Sequence, residues 1–220
     1  GMLVFFWFLY GFVIGSESQF FVSRYLGVEN FAMFANGYRE LPIAGIVIGA
    51  VAGILLPEFS RMTKGGSDSK QYLVLWKNVV LKSAAVIYPF SLYCCIFAPE
   101  IMGVLYGTVY REAADLFRIV TIINLVRIVP YGPIMFALGK GKIFAKAHLV
   151  TALLLLGLDF LCVTFFPSLS AIAIIATTTT VFCLVVLMVS TARLLNTGLS
   201  RLMPGSPCSK FCPCQPSHAF

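Results

Sequence analysis

Six runs of about 20 or more mainly apolar residues follow one another along this chain, joined by short polar connections. A lipid bilayer's hydrocarbon core is about 30 Å thick, which an α-helix of about 20 residues spans. Only helices and closed barrels satisfy every backbone polar group inside lipid. Barrel strands would be segments of about ten residues alternating with period two, and no such alternation occurs here. The expected fold is therefore all-α: a polytopic membrane protein, a bundle of six transmembrane helices. They are expected over about 2–24, 31–57, 71–97, 113–138, 143–166 and 169–193. Residues 1–195 would form this lobe, and residues 196–220, rich in Pro, Ser and Cys, a disordered cytoplasmic tail. Composition agrees: 59% of residues are hydrophobic and 11% charged, where soluble domains carry about 25% charged.

The charges set an expected orientation. Arg61, Lys64, Lys70 and Lys77 flank one connection, Lys140, Lys142 and Lys146 another, and Arg193, Arg201 and Lys210 follow the last run. The intervening connections hold Arg24, then Arg111 and Arg118, then no basic residue, with Glu29, Glu100, Glu112 and Asp115 among them. The positive-inside rule then puts both chain ends in the cytoplasm. The net charge of +7 is spread over these short clusters, with no basic-aromatic face for nucleic acid.

The first apolar run lacks the basic n-region and small-residue cleavage site of a signal peptide. The chain begins with Gly1 rather than Met, which reads as a segment boundary with further sequence upstream. Cys94, Cys95, Cys162 and Cys183 lie inside apolar runs as small hydrophobes. Cys208, Cys212 and Cys214 have neither paired metal-knuckle spacing nor an even count. No metal, no cofactor and no enzymatic activity is expected: H-E-x-x-H, G-x-S-x-G and a phosphate-binding glycine loop are all missing from the sequence.

Polar residues inside apolar runs are the candidate functional positions. Arg127 lies near the middle of the fourth run, where an arginine costs about 2.5–3.5 kcal/mol on insertion scales. It faces either a wet cavity or a partner within the bundle. Asn124, three residues earlier, shares its helical face. Pro130, Gly132 and Pro133 follow and predict a kink, as a hinge or as fixed structure. Glu17 and Arg24, seven residues apart, would form a polar stripe if Gly15–Gln19 is helical, and an exterior loop if it is not. Arg39 and Glu40 sit inside the second run, just before Pro42; as sequence neighbours they point apart, so one should look inward. Asp159, midway along the fifth run, is open to two readings: a proton or sodium site, or a partner for Arg127. Thr177–Thr180 reads as helix packing.

In order along the chain stand Gly27-Val28-Glu29-Asn30-Phe31-Ala32-Met33-Phe34-Ala35-Asn36-Gly37-Tyr38-Arg39, Leu56-Pro57-Glu58-Phe59-Ser60 and Ala98-Pro99-Glu100-Ile101-Met102. Tyr106-Gly107, Tyr110, Ala114 and Leu116 come next, then Ala137-Leu138-Gly139-Lys140. Over about residues 10–195 this order resembles the second half of the lipid-linked oligosaccharide flippases of the multidrug/oligosaccharidyl-lipid/polysaccharide (MOP) exporter superfamily. The resemblance implies one six-helix lobe, the C-terminal one, of a two-lobe transporter in a bacterial or archaeal cytoplasmic membrane. Such transporters carry an undecaprenyl-diphosphate-linked oligosaccharide between leaflets by alternating access. The implied partners are that polyprenyl-diphosphate-linked glycan, membrane lipids and an N-terminal lobe, without which these 220 residues would move nothing. Arg127, with Asn124, Arg39, Arg24 and Glu17, would line the substrate cavity, and Asp159 would couple an ion.

Alternatives within the superfamily are a peptidoglycan-precursor flippase and a multidrug/cation antiporter. From another class, the chain would be a non-transporting scaffold for polysaccharide enzymes, or a truncated inactive product.

Overall fold

Long helices form over most of the apolar runs, even past Pro57 and Pro89, and two runs break, near Pro42 and near Pro130. The computed structural model describes residues 16–66, 69–128 and 130–195. The first part of the expected first helix, the tail from residue 196 and the three tail cysteines lie outside the described residues. Among the described residues the elements run α1 (16–25), α2 (Val28–Gly37), α3 (Pro42–Lys64), α4 (Ser69–Ile96) and α5 (Ala98–Tyr106). A 3₁₀ segment (Thr108–Ala113), α6 (Ala114–Thr121) and a second 3₁₀ segment (Ile122–Leu125) follow. The chain closes with α7 (Gly132–Ala137), α8 (Gly141–Phe165) and α9 (Leu169–Leu194).

All of the described regular structure is helical. Four described helices, α3, α4, α8 and α9, are long and apolar enough to cross a membrane. Their outward faces carry exposed Ile46, Ile54, Leu81, Leu92, Leu153 and Phe160, which suits contact with acyl chains and makes this a membrane-embedded protein.

Two expected helices differ from the sequence reading. The second, read as continuous over 31–57, is two helices with a break at residues 38–41, and its second part runs on to Lys64. Pro42 explains the break: its ring disfavours helical geometry at Leu41, which is extended at φ −64° and ψ 143°, while Pro42 itself suits the first turn of α3. The polar end of α3 continues past Pro57 with Arg61 bridging Glu58 at 2.7 Å.

The fourth expected helix, 113–138, is not one helix. It is α6, a 3₁₀ turn, an irregular stretch about Arg127 and the short α7. The Arg127 N–H still reaches the Ile123 carbonyl at 2.9 Å, but Pro130 cannot donate and constrains its predecessor. Side chains cover part of the freed backbone, with Tyr88 donating to the Leu125 carbonyl at 3.1 Å. Gly132 and Pro133 belong to the start of α7. At its other end Gly139 takes a left-handed φ of 68°, and Lys140 N–H returns to the Met135 carbonyl at 2.8 Å. This turn folds α7 tightly back onto α8.

The core is divided. One apolar cluster gathers Leu55, Phe59, Trp76, Ile87, Ile134 and Leu187 from α3, α4, α7 and the later part of α9. The other gathers Val22, Phe34, Cys94, Met102, Phe117 and Ile172 from α1, α2, the end of α4, α5, α6 and the start of α9. Gly37 allows the closest approach in the second cluster: a Cβ there would sit 2.8 Å from Ala113 Cβ and 3.2 Å from Leu116 Cβ. Gly37→Val should therefore lower stability by about 1–3 kcal/mol through overpacking, read as a reduced unfolding midpoint in detergent. An unchanged midpoint would show that α2 does not pack so closely.

Candidate functional site

The two helix breaks bring one pair of charged side chains together. Arg127, in the second break, forms an ion pair from Nη2 to Glu40 Oε2 in the first. Both side chains are mostly enclosed, 33% exposed for Arg127 and 17% for Glu40. A guanidinium has donors to spare, and Arg127 Nε is buried without a hydrogen-bond partner among the described residues. Asn124 is buried three residues earlier, its Oδ1 also unpartnered among them.

A second group lies where α1, α2, α8 and α9 approach. Asp159 is completely buried, and Ser18 donates to its Oδ2 at 2.6 Å. Glu17, next in the chain to Ser18 and buried too, lies within electrostatic reach of Asp159. Glu17 Oε1 and Oε2 and Asp159 Oδ1 have no hydrogen-bond partner among the described residues. Tyr38, stacked on Phe34 with ring centroids 5.0 Å apart, shares a 2.9 Å hydrogen bond with Thr177, and also feels the charges of Glu40 and Asp159. A polar layer thus runs from Arg127 through Glu40 and Tyr38 to Asp159 and Glu17.

Buried polar groups are expensive unless satisfied, which makes this layer the candidate site. The Arg127 end suits an oxyanion, where a planar fork of donors fits phosphate or carboxylate. The Glu17–Asp159 end suits a cation or a proton. Among the described residues, no three His, Cys, Asp or Glu side chains come together as a metal site.

Several expected positions fall differently. The partner of Arg127 is Glu40, not Asp159, which is bound to Ser18. Residues 16–19 are helical, so the exterior-loop reading of that stretch is overturned. Glu17 and Arg24 do not share an environment: Glu17 is buried, while Arg24 is exposed at the end of α1. Arg39 is exposed in the first break, and of the neighbouring pair it is Glu40 that turns inward. Pro130 lies within the second break, with Gly132 and Pro133 after it. Sequence reasoning did not single out Ser18 or Tyr38, and it read Thr177 only as packing. Their signal was proximity in sequence to Glu17 and to Arg39–Glu40, which is too general to stand out.

Ser18→Ala would strip the buried Asp159 of the hydrogen bond it accepts among the described residues. It should cost about 1–3 kcal/mol, seen as a lower unfolding midpoint, with Ser18→Thr closer to the parent. Equal midpoints for all three would remove Ser18 from the site.

A family model described as "Polysaccharide biosynthesis protein" matches residues 1–115. That match takes in Glu17, Ser18, Tyr38 and Glu40 but not Arg127 or Asp159. No curated protein and no solved structure matches the chain significantly.

Proposed function

This chain belongs to the polysaccharide biosynthesis protein family, and from that premise we propose that it works as the C-terminal lobe of a MOP-type flippase. Its substrate is an undecaprenyl-diphosphate-linked oligosaccharide, carried across the cytoplasmic membrane of a bacterium or archaeon by alternating access against an N-terminal lobe. Both ends of the chain lie on the cytoplasmic side, and the protein transports rather than catalyses.

The observation that carries the reading is Arg127: a largely enclosed arginine at a break in the helix, with no partner for Nε among the described residues. Its guanidinium would hold the diphosphate while the lipid tail stays in the bilayer. Asn124 adds a polar contact beside it, and the exposed Arg39 adds positive charge next to Glu40. Pro130, Gly132 and Pro133 give the segment its freedom to move as the lobes rock. Asp159, with Glu17, takes the coupling proton or cation.

The test is binding in nanodiscs. A fluorescent undecaprenyl-diphosphate oligosaccharide should bind the chain and be displaced by inorganic pyrophosphate. Absence of binding, or binding that pyrophosphate leaves untouched, would overturn the diphosphate assignment.

The Glu17–Asp159 pairing also favours a second reading, a cation-driven drug antiporter of the same superfamily. A sodium or proton gradient driving efflux of cationic dyes, with no oligosaccharide bound, would select it.

A further inference from the structure

The guanidinium assigned above to a diphosphate is already held by a carboxylate of the chain itself. Glu40 and Arg127 lie 87 residues apart, each in a break rather than on a regular helix. The pair is therefore not a by-product of helical periodicity. Two independent interruptions, one made by Pro42 and the other by Pro130, bring it together. Residues in such breaks can change backbone conformation without unwinding a helix. Arg127 Nε, buried and without a hydrogen-bond partner among the described residues, is a donor left for an anion to take up as Glu40 moves aside.

We propose that Glu40 is a tethered competitor for Arg127: it keeps weak anions such as the single phosphodiester of bulk phospholipid out of the site and yields to a diphosphate. This rests on the reading of Arg127 as the diphosphate contact. A phospholipid is far more abundant in any bilayer than a polyprenyl-linked sugar, so a bare arginine at this level would be filled by the wrong phosphate. A carboxylate fixed by the chain competes at high effective concentration. Every incoming anion must overcome the same pair, which lowers all affinities by one factor. A monodentate phosphodiester then falls below useful occupancy. A diphosphate offers more oxygens and more charge, reaches Nε as well as the fork, and stays above it. The tethered carboxylate thus keeps bulk lipid below useful occupancy, while the preference for a diphosphate over a phosphodiester comes from its extra oxygens and charge.

The experiment uses the full chain in dodecyl maltoside, which contains no phosphate. Farnesyl diphosphate and dihexanoylphosphatidylglycerol are titrated by calorimetry into the parent, Glu40→Gln and Arg127→Gln proteins. Glu40→Gln should bind both ligands tighter by about tenfold, about 1.4 kcal/mol. Phosphatidylglycerol alone should then occupy it at concentrations about tenfold below those the parent needs. Arg127→Gln should lose both ligands.

Unchanged or weaker binding by Glu40→Gln, with binding lost in Arg127→Gln, makes the pair a structural clasp and overturns the proposal while the diphosphate contact stands. Parent-like binding of farnesyl diphosphate by Arg127→Gln overturns the diphosphate contact itself. Should Glu40→Gln not fold, Glu40→Asp keeps the charge but shortens its reach. It should show an intermediate gain in affinity, and no gain counts against the proposal in the same way.

Discussion

On the proposed flippase reading, with the proposed N-terminal lobe present, Arg127→Ala should cut the flipping rate of a lipid-linked oligosaccharide by at least about thirtyfold while the protein remains in the membrane. The loss of an enclosed charge-assisted contact costs about 2–5 kcal/mol, and the lower end of that range already corresponds to about thirtyfold in rate. Arg127→Lys keeps the charge but not the planar fork, so it should fall between the parent and the alanine variant. Arg127→Ala also orphans the Glu40 carboxylate, which destabilises the fold on its own account. The double change Arg127→Ala with Glu40→Gln separates the two effects: folding recovers and flipping does not. The readout is quenching of a fluorescent polyprenyl-diphosphate sugar on the outer face of proteoliposomes. A parent-like rate for Arg127→Ala would remove Arg127 from the substrate path.

Trp76→Ala should be the most damaging change to the fold away from the charges. The indole is 1% exposed, sits inside the cluster that holds the Ile128–Met135 segment, and packs against Tyr131 with ring centroids 5.5 Å apart. Truncating a buried tryptophan in a water-soluble core costs about 3–5 kcal/mol. In a membrane the transfer part is smaller because lipid is as apolar as the core, and lost packing remains. A cost of about 2–4 kcal/mol is expected in mixed-micelle unfolding. The break around Arg127 leans on this ring, so proteolysis or cysteine labelling near residue 128 should rise in parallel. A cost below about 1 kcal/mol, with no change in labelling, would mean that Trp76 does not brace the break.

The long helices were legible in the sequence because nothing local opposes them. Residues 143–165 and 169–193 carry no internal proline, and uninterrupted apolar length decides their fate. The broken helices were legible only in part. Pro130 announced a kink, but the change to 3₁₀ geometry begins earlier, at Ile122, where tertiary contacts from Tyr88 and the Arg127–Glu40 pair compete with the helical ladder. Pro42 carried the same warning for Leu41, yet the surrounding hydropathy outweighed it when the second helix was read as continuous. Arg127 and Asp159 stood out as charges in apolar runs. Which carboxylate meets Arg127 depends on how segments far apart in sequence cross, and no local pattern encodes that. Glu17 joins Asp159 rather than Arg24 for the same reason.

The division of the core into two apolar clusters bears on how the chain is made. Neither cluster is contiguous in sequence. One draws on the stretches around residues 55–87, 128–144 and 183–195, the other on those around 21–34, 94–123 and 162–173. Each waits for a section of α9, whose early residues close one cluster and whose late residues close the other. During synthesis, a chain halted before Leu169 has therefore completed neither half, however many helices have already entered the bilayer. Among the described helices α9 is made last and closes both clusters, and until it arrives the nascent protein depends on lipid or on an insertion chaperone to cover what α9 later covers.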